Sequence, residues 1–539
     1  MSDSHVPIPA DESAWRRRVE EELGDTAFDE TLTATLPGGI VVEPLYTRHD
    51  RSYRRARRAP TSDIGWHICP LLDSADPEVV NQQVLADLDG GASALWLRLD
   101  LAARAGVDAD DLAAGSLAGR DGLAAYHLGD LDVALSGVRL DAVPLLLDAG
   151  ANALPAAAGL LGVLESRGVD CSDVELHLGS DPLGALATDG RVPASFENLK
   201  VEMRQLSSFC AATLPTSTAV TVSDLPWHHA GGSTVTELGL AAATLVTYLR
   251  WMESEGWEPH RSAPHILLRV AVDRELFPAV AKLRAARLLW DRILATCGLD
   301  DPPPATIHAV VSDRPFTARD PWVNMLRATS QTLAAVVGGA DLVTTPPWDG
   351  PLGPASANGR RLARNTHSIL GEESALGQVL DPAGGSHFVE ELTGSLARGA
   401  WDVLREIENR GGVEEALGSG WVGQRLEAER QARRAAILEA AHPITGVTTY
   451  ANADEELPSR EPVELDAAAD RAAQRMRDHR GRRTEAPDLE LACVLDRMAV
   501  WVRMAVAGAT MREISVALRR SCCETLPPLP RVRDAEALE

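Results

Sequence analysis

The chain has 539 residues, of which 52 are Lys or Arg and 78 are Asp or Glu, so its formal net charge is −26. This excess of acid argues against nucleic acid or an anionic membrane as the main partner, because both attract a net basic surface. Hydrophobic residues make up 45% of the chain, which is ordinary for a globular protein and excludes wholesale disorder.

The composition also predicts a cytoplasmic protein. No stretch of about 18–20 residues is both uncharged and predominantly apolar, as a bilayer span requires. The acidic N-terminus has no apolar segment of the kind found in secretory signals. The seven cysteines show neither CxxC pairs nor Cys/His spacing, which favours reduced thiols over a disulfide framework or a metal site.

Residues 1–61 are predicted to form an arm that contacts a partner, beginning with a helix over residues 12–23. The arm ends in a basic run of arginines: Arg48, Arg51, Arg54, Arg55, Arg57 and Arg58. Such a run is usually a solvated or interface surface. Contact with an acidic partner subunit or with nucleotide phosphates remains an alternative.

From residue 62 to 365, short β-type runs alternate with helical ones, which predicts a (β/α)8 TIM barrel. The predicted strands are residues 66–72, 94–99, 131–138, 174–181, 218–224, 265–273, 306–313 and 341–345. The predicted helices between them include residues 77–88, 195–212, 234–255, 275–297 and 321–337. An open doubly wound sheet is the alternative, although no Gly-rich dinucleotide turn follows the first strand.

Alternation along the strands predicts which side chains face the barrel lumen. In residues 265–273, Ile266, Leu268, Val270 and Val272 share one face, and Arg269 lies on the other. In residues 306–313, His308 and Ser312 share a face with Thr306 and Val310. The apolar face belongs under the outer helices, so the lumen is predicted to be unusually polar. Either a ligand passage or a hydrated barrel end fits this pattern.

Residues 366–539 are predicted to form a helical and linker region. Helices are expected over residues 390–409, 413–441, 466–479 and 488–518, with a polar, acidic linker over residues 451–462.

Two motifs resemble the adenosylcobalamin-dependent acyl-CoA mutases, the methylmalonyl-CoA mutase family. Residues 364–374 read RNTHSILGEES and residues 381–393 read DPAGGSHFVEELT, close to the family pattern RNTQ…EES…DPxxGSxxVExLT. The resemblance implies a TIM barrel through which coenzyme A threads. In active members a C-terminal domain brings cobalamin to the barrel, and a radical reaction rearranges the carbon skeleton in a closed site.

Three departures from the family pattern indicate that this chain has lost the catalytic groups. The cobalamin motif D-x-H-x-x-G is not found after the barrel, so we expect no cobalamin domain and no cofactor bound by this chain. The family's Tyr-His pair, whose histidine polarises the thioester, is matched by Leu225 and Pro226. The family's R-Q-Y triplet is matched by Cys69, Pro70 and Leu71, which offer neither its arginine nor its tyrosine.

His228 and His229 are the candidates for a vestigial pocket. Two histidines after a barrel strand lie on the catalytic face, where either would serve as a general acid or a metal ligand. A structural turn is the favoured interpretation, because the motif contains no adjacent carboxylate. Cys69 is expected to be a small buried side chain rather than a nucleophile, and residues 381–385 are expected to shape a turn.

The pattern is most similar to the small (beta) subunit of heterodimeric methylmalonyl-CoA mutase. This resemblance implies a non-catalytic chain that supports a homologous large subunit, which holds the adenosylcobalamin and handles the acyl-CoA. One alternative is the catalytic barrel of a split mutase of the isobutyryl- or 2-hydroxyisobutyryl-CoA type, with cobalamin on a separate protein. A stand-alone acyl-CoA binder is the other.

Overall fold

The computed structural model describes residues 12–47, 62, 64–439, 442–452, 454, 465–483 and 498–519. The strands are β1 Ala34–Leu36, β2 Ile40–Val42, β3 His67–Ile68, β4 Leu71–Leu72, β5 Leu95–Arg98, β6 Leu145–Asp148, β7 Leu176–Ser180, β8 Thr218–Ser223, β9 Ile266–Val272, β10 Thr306–Val311 and β11 Leu342–Thr344.

Helices surround these strands. They are α1 Glu12–Leu23, α2 Phe28–Leu32, α3 Pro77–Asp89, α4 Leu101–Arg104, α5 Leu128–Ala134, α6 Ala153–Arg167, α7 Pro182–Asp189, α8 Phe196–Thr213, α9 Leu225–His229, α10 Thr234–Ser254, α11 Pro259–Ser262, α12 Leu276–Thr296, α13 Val323–Val337, α14 Ala357–Ser368, α15 His387–Asn409, α16 Val413–Gly418, α17 Trp421–Leu438, α18 Leu465–Arg482, α19 Met498–Val506 and α20 Met511–Arg519.

The nine strands β3 to β11 form a parallel sheet that closes on itself. The hydrogen-bonded order runs β3-β11-β10-β9-β8-β7-β6-β5-β4, so the two ends of the sheet are β3 and β4. These are halves of one strand interrupted at Cys69 and Pro70, and Pro70 has no N–H to donate to a ladder. The predicted (β/α)8 barrel is confirmed.

One strand prediction is wrong. Residues 131–138 were expected to be a strand, yet the first half of this run lies in helix α5, where the His127 side chain accepts a hydrogen bond from the Asp130 N–H. The third barrel strand is β6, and its residues Leu145 to Leu147 are all buried. A strand buried on both faces shows no alternation, so its periodicity gave no signal.

The C-terminal helices differ in detail from the prediction. The expected single helix over residues 413–441 is two helices, α16 and α17, separated at Gly420, whose φ of +76° ends the first helix. The described part of residues 488–518 likewise forms two helices, α19 and α20. Most of the predicted linker over residues 451–462 lies outside the described residues.

Alternate side chains of the barrel strands face the outer helices and the lumen, as predicted. Ile266, Val270 and Val272 of β9 belong to the large core between the sheet and the helices. Leu267 and Ala271, on the opposite face of β9, belong to a small inner cluster inside the barrel. The strands therefore present their apolar face to the outer helices and a mixed face to the lumen.

The segments on either side of the barrel pack against it or against each other. Helix α1 is present as predicted, and its Trp15 ring lies 6.0 Å from Phe28 of α2. At the other end, arginines of the last helices bind barrel carboxylates, as in the Arg475–Asp130 pair at 3.2 Å. The basic run at residues 48–58 lies outside the described residues.

Among the described helices, none is both long enough and apolar enough to cross a bilayer.

Candidate functional site

A cavity of about 1800 Å³ opens at the C-terminal ends of the barrel strands. Active sites of (β/α)8 barrels lie on this face. All the positions that match the family's missing catalytic groups line this cavity: Cys69, Pro70, Leu71, Leu225 and Pro226. None of these side chains carries a group that pairs with a carboxylate or polarises a carbonyl.

At the floor of this cavity the barrel axis is filled by side chains from several strands, two of which, Trp96 and Arg269, also line the cavity. Trp96 of β5 is 1% exposed and packs in one inner cluster with Leu146, Leu267 and Leu342. The His308 ring meets the Trp96 ring edge-on with centroids 5.0 Å apart, and His308 is fully buried. At this level the lumen holds protein atoms rather than a passage.

Polar groups in the lumen are paired with one another in a continuous series. Arg269 Nε donates to His308 Nδ1 at 3.2 Å, and His308 Nε2 lies 2.8 Å from the Thr344 hydroxyl. That hydroxyl donates to the Cys69 carbonyl at 2.5 Å. Burial lowers the pKa of His308 well below its usual value, so the ring is neutral. The predicted polar lumen is present, and Arg269, His308 and Thr344 are hydrogen-bonded in it, while the buried Trp96 indole N–H has no partner among the described residues.

Asp148 of β6 anchors this series across the barrel. Its Oδ2 lies 3.3 Å from Arg269 Nη1 of β9 and 3.3 Å from Arg98 Nε of β5. Burial opposes the charged form, but the two guanidiniums outweigh it and lower the pKa of Asp148 to about 2. The pair between Arg269 and Asp148 therefore ties opposite walls of the lumen together.

His228 lies in α9 at the barrel mouth and is fully hydrogen-bonded. Its Nδ1 is 2.8 Å from Glu237 Oε1, and its Nε2 is 2.6 Å from Ser312 Oγ. Burial, followed by the charge of Arg314, lowers the pKa of His228 to about 4, so the ring is neutral at pH 7. The structure thus supplies the carboxylate that the local sequence motif lacks.

Glu237 belongs to a buried charge cluster behind His228. Lys282 Nζ contacts Glu237 and lies 2.7 Å from Asp224 Oδ2. Burial opposes ionisation, but Lys282 outweighs it and lowers the pKa of Glu237, while the two carboxylates raise the pKa of Lys282. Arg314 Nη1 lies 3.4 Å from Glu237 Oε1. This cluster holds the Glu237 carboxylate in place.

The other sequence candidates have simpler surroundings. His229 lines the cavity, is half-buried and has its ring 5.8 Å from that of His228, with no hydrogen bond to a described residue. Cys69 is fully buried, and burial raises the pKa of its thiol to about 12. Within the described ranges no group of His, Cys, Asp and Glu is arranged to hold a metal ion.

Sequence reasoning missed four residues of this site: Asp224, Lys282, Ser312 and Arg314. Glu237 was placed correctly in the following helix, without its contact to His228. A signal existed for Ser312, because it shares the inward face of its strand with His308 and immediately follows β10. The ion pairs gave no signal, because their partners lie 45 and more positions apart in the chain.

The family model named methylmalonyl-CoA mutase matches residues 45–524. This chain belongs to the methylmalonyl-CoA mutase family. It is 39% identical over 467 residues to the methylmalonyl-CoA mutase small subunit of Streptomyces virginiae, covering 83% of this chain and 72% of that protein. It is 37% identical over 475 residues to the probable small subunit of Mycobacterium tuberculosis, covering 86% and 70%.

A third relative of this mutase family is the small subunit of Propionibacterium freudenreichii subsp. shermanii. The two chains are 32% identical over 464 residues, which cover 82% of this chain and 68% of the relative. The resemblance to methylmalonyl-CoA mutase that the sequence motifs indicated is confirmed.

The mutase signature motifs act here as a scaffold around the barrel. Arg360 and Arg364 of α14 both bind Asp87 at the end of α3. His367 Nδ1 accepts a hydrogen bond from the Trp66 indole at 3.1 Å, which ties α14 to the start of the first strand. Asp381 binds Arg284 of α12. These contacts hold the two motifs against α3, α12 and the start of the first barrel strand.

Proposed function

We propose that this chain is the non-catalytic small subunit of a heteromeric methylmalonyl-CoA mutase. The homologous large subunit would bind adenosylcobalamin and interconvert (R)-methylmalonyl-CoA and succinyl-CoA. Three relatives that carry the small-subunit name support this proposal. The activity of the complex is then an isomerisation, to which this chain contributes structure.

The observation that carries the proposal is the filled lumen. In active members of the family, the resemblance implies that coenzyme A threads along the barrel axis. Here the axis contains Trp96, Arg269 and His308, which are 0–5% exposed and bonded or stacked to one another. Trp96 and Arg269 form the floor of the cavity, so a coenzyme A chain that followed the axis would meet these side chains.

The residues of this chain do not fit adenosylcobalamin chemistry either. The cavity-lining Leu71 and Leu225 offer no polar group to a substrate, and Pro226 has no N–H. His228 is enclosed and hydrogen-bonded through both ring nitrogens. We therefore assign no step of the rearrangement to this chain and place the cofactor in the partner subunit.

The contribution of the chain would be an interface. We propose that the N-terminal arm, residues 1–61, and the outer face of the barrel bury apolar area against the large subunit in the cytoplasm. Obligate interfaces between subunits bury about 2,000–5,000 Å². A contact of that size stabilises the closed form of a partner whose radical intermediates must be kept from water.

Reconstitution of the complex tests the proposal. The chain is mixed with the methylmalonyl-CoA mutase large subunit encoded in the same genome, and the mass of the mixture is measured by sedimentation. We expect a stable complex of both chains and succinyl-CoA conversion that depends on the large subunit. Failure of the two folded chains to associate at micromolar concentration would contradict the proposal.

The same assay tests the alternative of a split mutase. This chain is incubated with adenosylcobalamin, a separately purified cobalamin-binding protein and isobutyryl-CoA or 2-hydroxyisobutyryl-CoA. We expect no rearranged product. Product formation without a large subunit would establish the alternative instead.

A further inference from the structure

Glu237, His228 and Ser312 are hydrogen-bonded in series at the barrel mouth. Glu237 Oε1 lies 2.8 Å from His228 Nδ1, and His228 Nε2 lies 2.6 Å from Ser312 Oγ. Arg314 Nη1 also lies 2.9 Å from His228 Nδ1 and 3.4 Å from Glu237 Oε1. A carboxylate accepts only from a protonated nitrogen, so we assign the proton to Nδ1, leave Nε2 as the acceptor and take Arg314 Nη1 as a donor to Glu237. In this arrangement an imidazole removes a proton from a serine hydroxyl.

The three side chains come from different barrel units and meet on the catalytic face. Ser312 immediately follows β10, His228 lies in α9 after β8, and Glu237 lies in the first turn of α10. Ser312 and His228 line the cavity of about 1800 Å³ together with the half-buried His229. A small molecule that enters from the mouth therefore reaches the serine without passing through the filled axis.

Arg314, two residues after the serine, supplies a backbone donor to its oxygen and carries an unpaired buried side-chain donor. The backbone N–H of Arg314 is 3.2 Å from Ser312 Oγ. Arg314 Nη2 is buried and has no hydrogen-bond partner among the described residues. The backbone donor holds the Ser312 oxygen and stabilises the negative charge that develops on it as its proton leaves, and an unsatisfied buried donor such as Nη2 is costly in a folded protein.

We propose that Ser312 is a nucleophile that hydrolyses small activated acyl esters or thioesters, with His228 as general base and Glu237 as a positioning residue. The Ser312 hydroxyl proton passes to His228 Nε2 while Oγ forms a bond to the carbonyl carbon. The carbon–oxygen or carbon–sulfur bond to the leaving group then breaks, and His228 returns the proton to the alcohol or thiol. Water, activated by His228, releases the acid and restores Ser312.

This activity is separate from the proposed role as a subunit. It uses the cavity above the lumen, and it requires neither cobalamin nor a second chain. If the proposed subunit role fails its test, ester hydrolysis can still be tested by itself, and the reverse also holds.

Covalent labelling of the folded full-length chain is the first test. The chain is incubated with a fluorophosphonate probe, which reacts with serines activated by a histidine, and the labelled peptide is identified by mass spectrometry. We expect label on Ser312. We also expect hydrolysis of p-nitrophenyl acetate at a rate that Ser312→Ala or His228→Gln lowers roughly 100-fold, the usual size of a general-base contribution.

Ser223 provides the matched control. It also lies at the end of a strand, lines the same cavity and is 5% exposed. Its Oγ accepts a hydrogen bond from the N–H two residues later, as that of Ser312 does, but among the described residues no histidine is bonded to it. Ser223→Ala should keep both the label and the rate. A folded wild-type chain that carries no label on Ser312, or whose hydrolysis rate is unchanged in Ser312→Ala, would overturn the proposal.

The positioning role of Glu237 predicts a change in the pH profile. The Glu237 carboxylate favours the protonated form of His228, so Glu237→Gln should lower the pKa of His228 and move the acid limb of the rate profile to lower pH. A merely structural role would lower the rate at every pH and leave the position of the limb unchanged.

Discussion

The guanidinium of Arg269 lies over the indole of Trp96, with its central carbon 4.4 Å from the ring centre. The same guanidinium reaches Asp148 on the far wall of the barrel at 3.3 Å. An ordinary barrel fills its interior with layers of branched apolar side chains. In this chain the stacked and ion-paired side chains of Trp96, Arg269 and Asp148 close the axis instead. The stability of this arrangement depends on each charged side chain having its partner.

Trp96→Ala should create a cavity in the lumen. The side chain is 1% exposed and packs on three sides, so we expect the free energy of unfolding to fall by about 3–5 kcal/mol in urea titrations. Trp322→Ala is the matched control, because Trp322 is 51% exposed and its loss should cost less than half as much. Equal losses in the two variants would show that Trp96 does not fill the barrel.

Asp148→Asn should leave the buried guanidinium of Arg269 without its counter-charge, while Arg98 keeps Asp121 as a second partner. We expect a loss of about 3 kcal/mol in the free energy of unfolding at pH 7. The pKa of Asp148 is about 2 in the folded chain against 3.8 normally, so its contribution exists above pH 4 and is lost as the pH falls towards 2. The difference between wild type and variant should shrink over that window.

The control for this substitution is Asp141→Asn, which removes a carboxylate from a fully exposed pair with Arg139. No measurable change is expected, because exposed ion pairs are screened by water. If Asp148→Asn behaved in the same way, the cross-lumen pair would not be a structural element.

Asp181 should make stability fall as the pH rises. Burial raises its pKa to about 6, although the Tyr248 hydroxyl donates to it at 2.5 Å. A raised carboxyl pKa stabilises the fold below the unfolded value, and this contribution is lost as the pH rises through about 6. Burial raises the pKa of Asp100 and Asp108 as well, so urea titrations from pH 4 to 8 should show a decline that Asp181→Asn makes smaller by roughly 2–3 kcal/mol.

A second variant tests the direction of this effect. Tyr248→Phe removes a donor that favours the charged carboxylate, so the pKa of Asp181 should rise and the decline should move to higher pH. A decline that stays at the same pH in Tyr248→Phe, or is as large in Asp181→Asn as in the wild type, would assign it to another group.

Cys69 should be inert in the folded chain. Burial raises its pKa to about 12, whereas Cys297 is exposed. Brief alkylation with N-ethylmaleimide at pH 7.5, followed by peptide mapping, should therefore modify Cys297 and leave Cys69 unmodified until the chain unfolds. In Cys297→Ser the label at position 69 should remain absent, and early modification of Cys69 would refute its burial.

The strand pattern predicted the barrel and its inward faces because alternation is a local property. Arg269 and His308 were correctly placed in the lumen from their own strands. Whether the lumen is open or filled depends on Trp96 and on Asp148. Asp148 lies in β6, the strand whose sequence shows no alternation. Closure of the axis is set by side-chain volume and by pairing between strands, and neither is encoded within a single strand.

The sequence predicted only those residues of the candidate site that are neighbours along the chain. The pair of histidines was visible because His228 and His229 are adjacent. In the structure both line the cavity, His228 buried and hydrogen-bonded and His229 half-buried. Ser312 lies 84 positions from His228. Only the barrel geometry, which gathers the carboxyl ends of its strands, brings such residues into contact.

The central claim is that this chain supports a mutase without isomerising substrate itself. The most direct measurement is the conversion of (R)-methylmalonyl-CoA to succinyl-CoA with saturating adenosylcobalamin, by the purified chain alone and with the homologous large subunit. We expect no product from this chain alone and turnover only when the large subunit is present in the complex. Succinyl-CoA formed by this chain alone would contradict it.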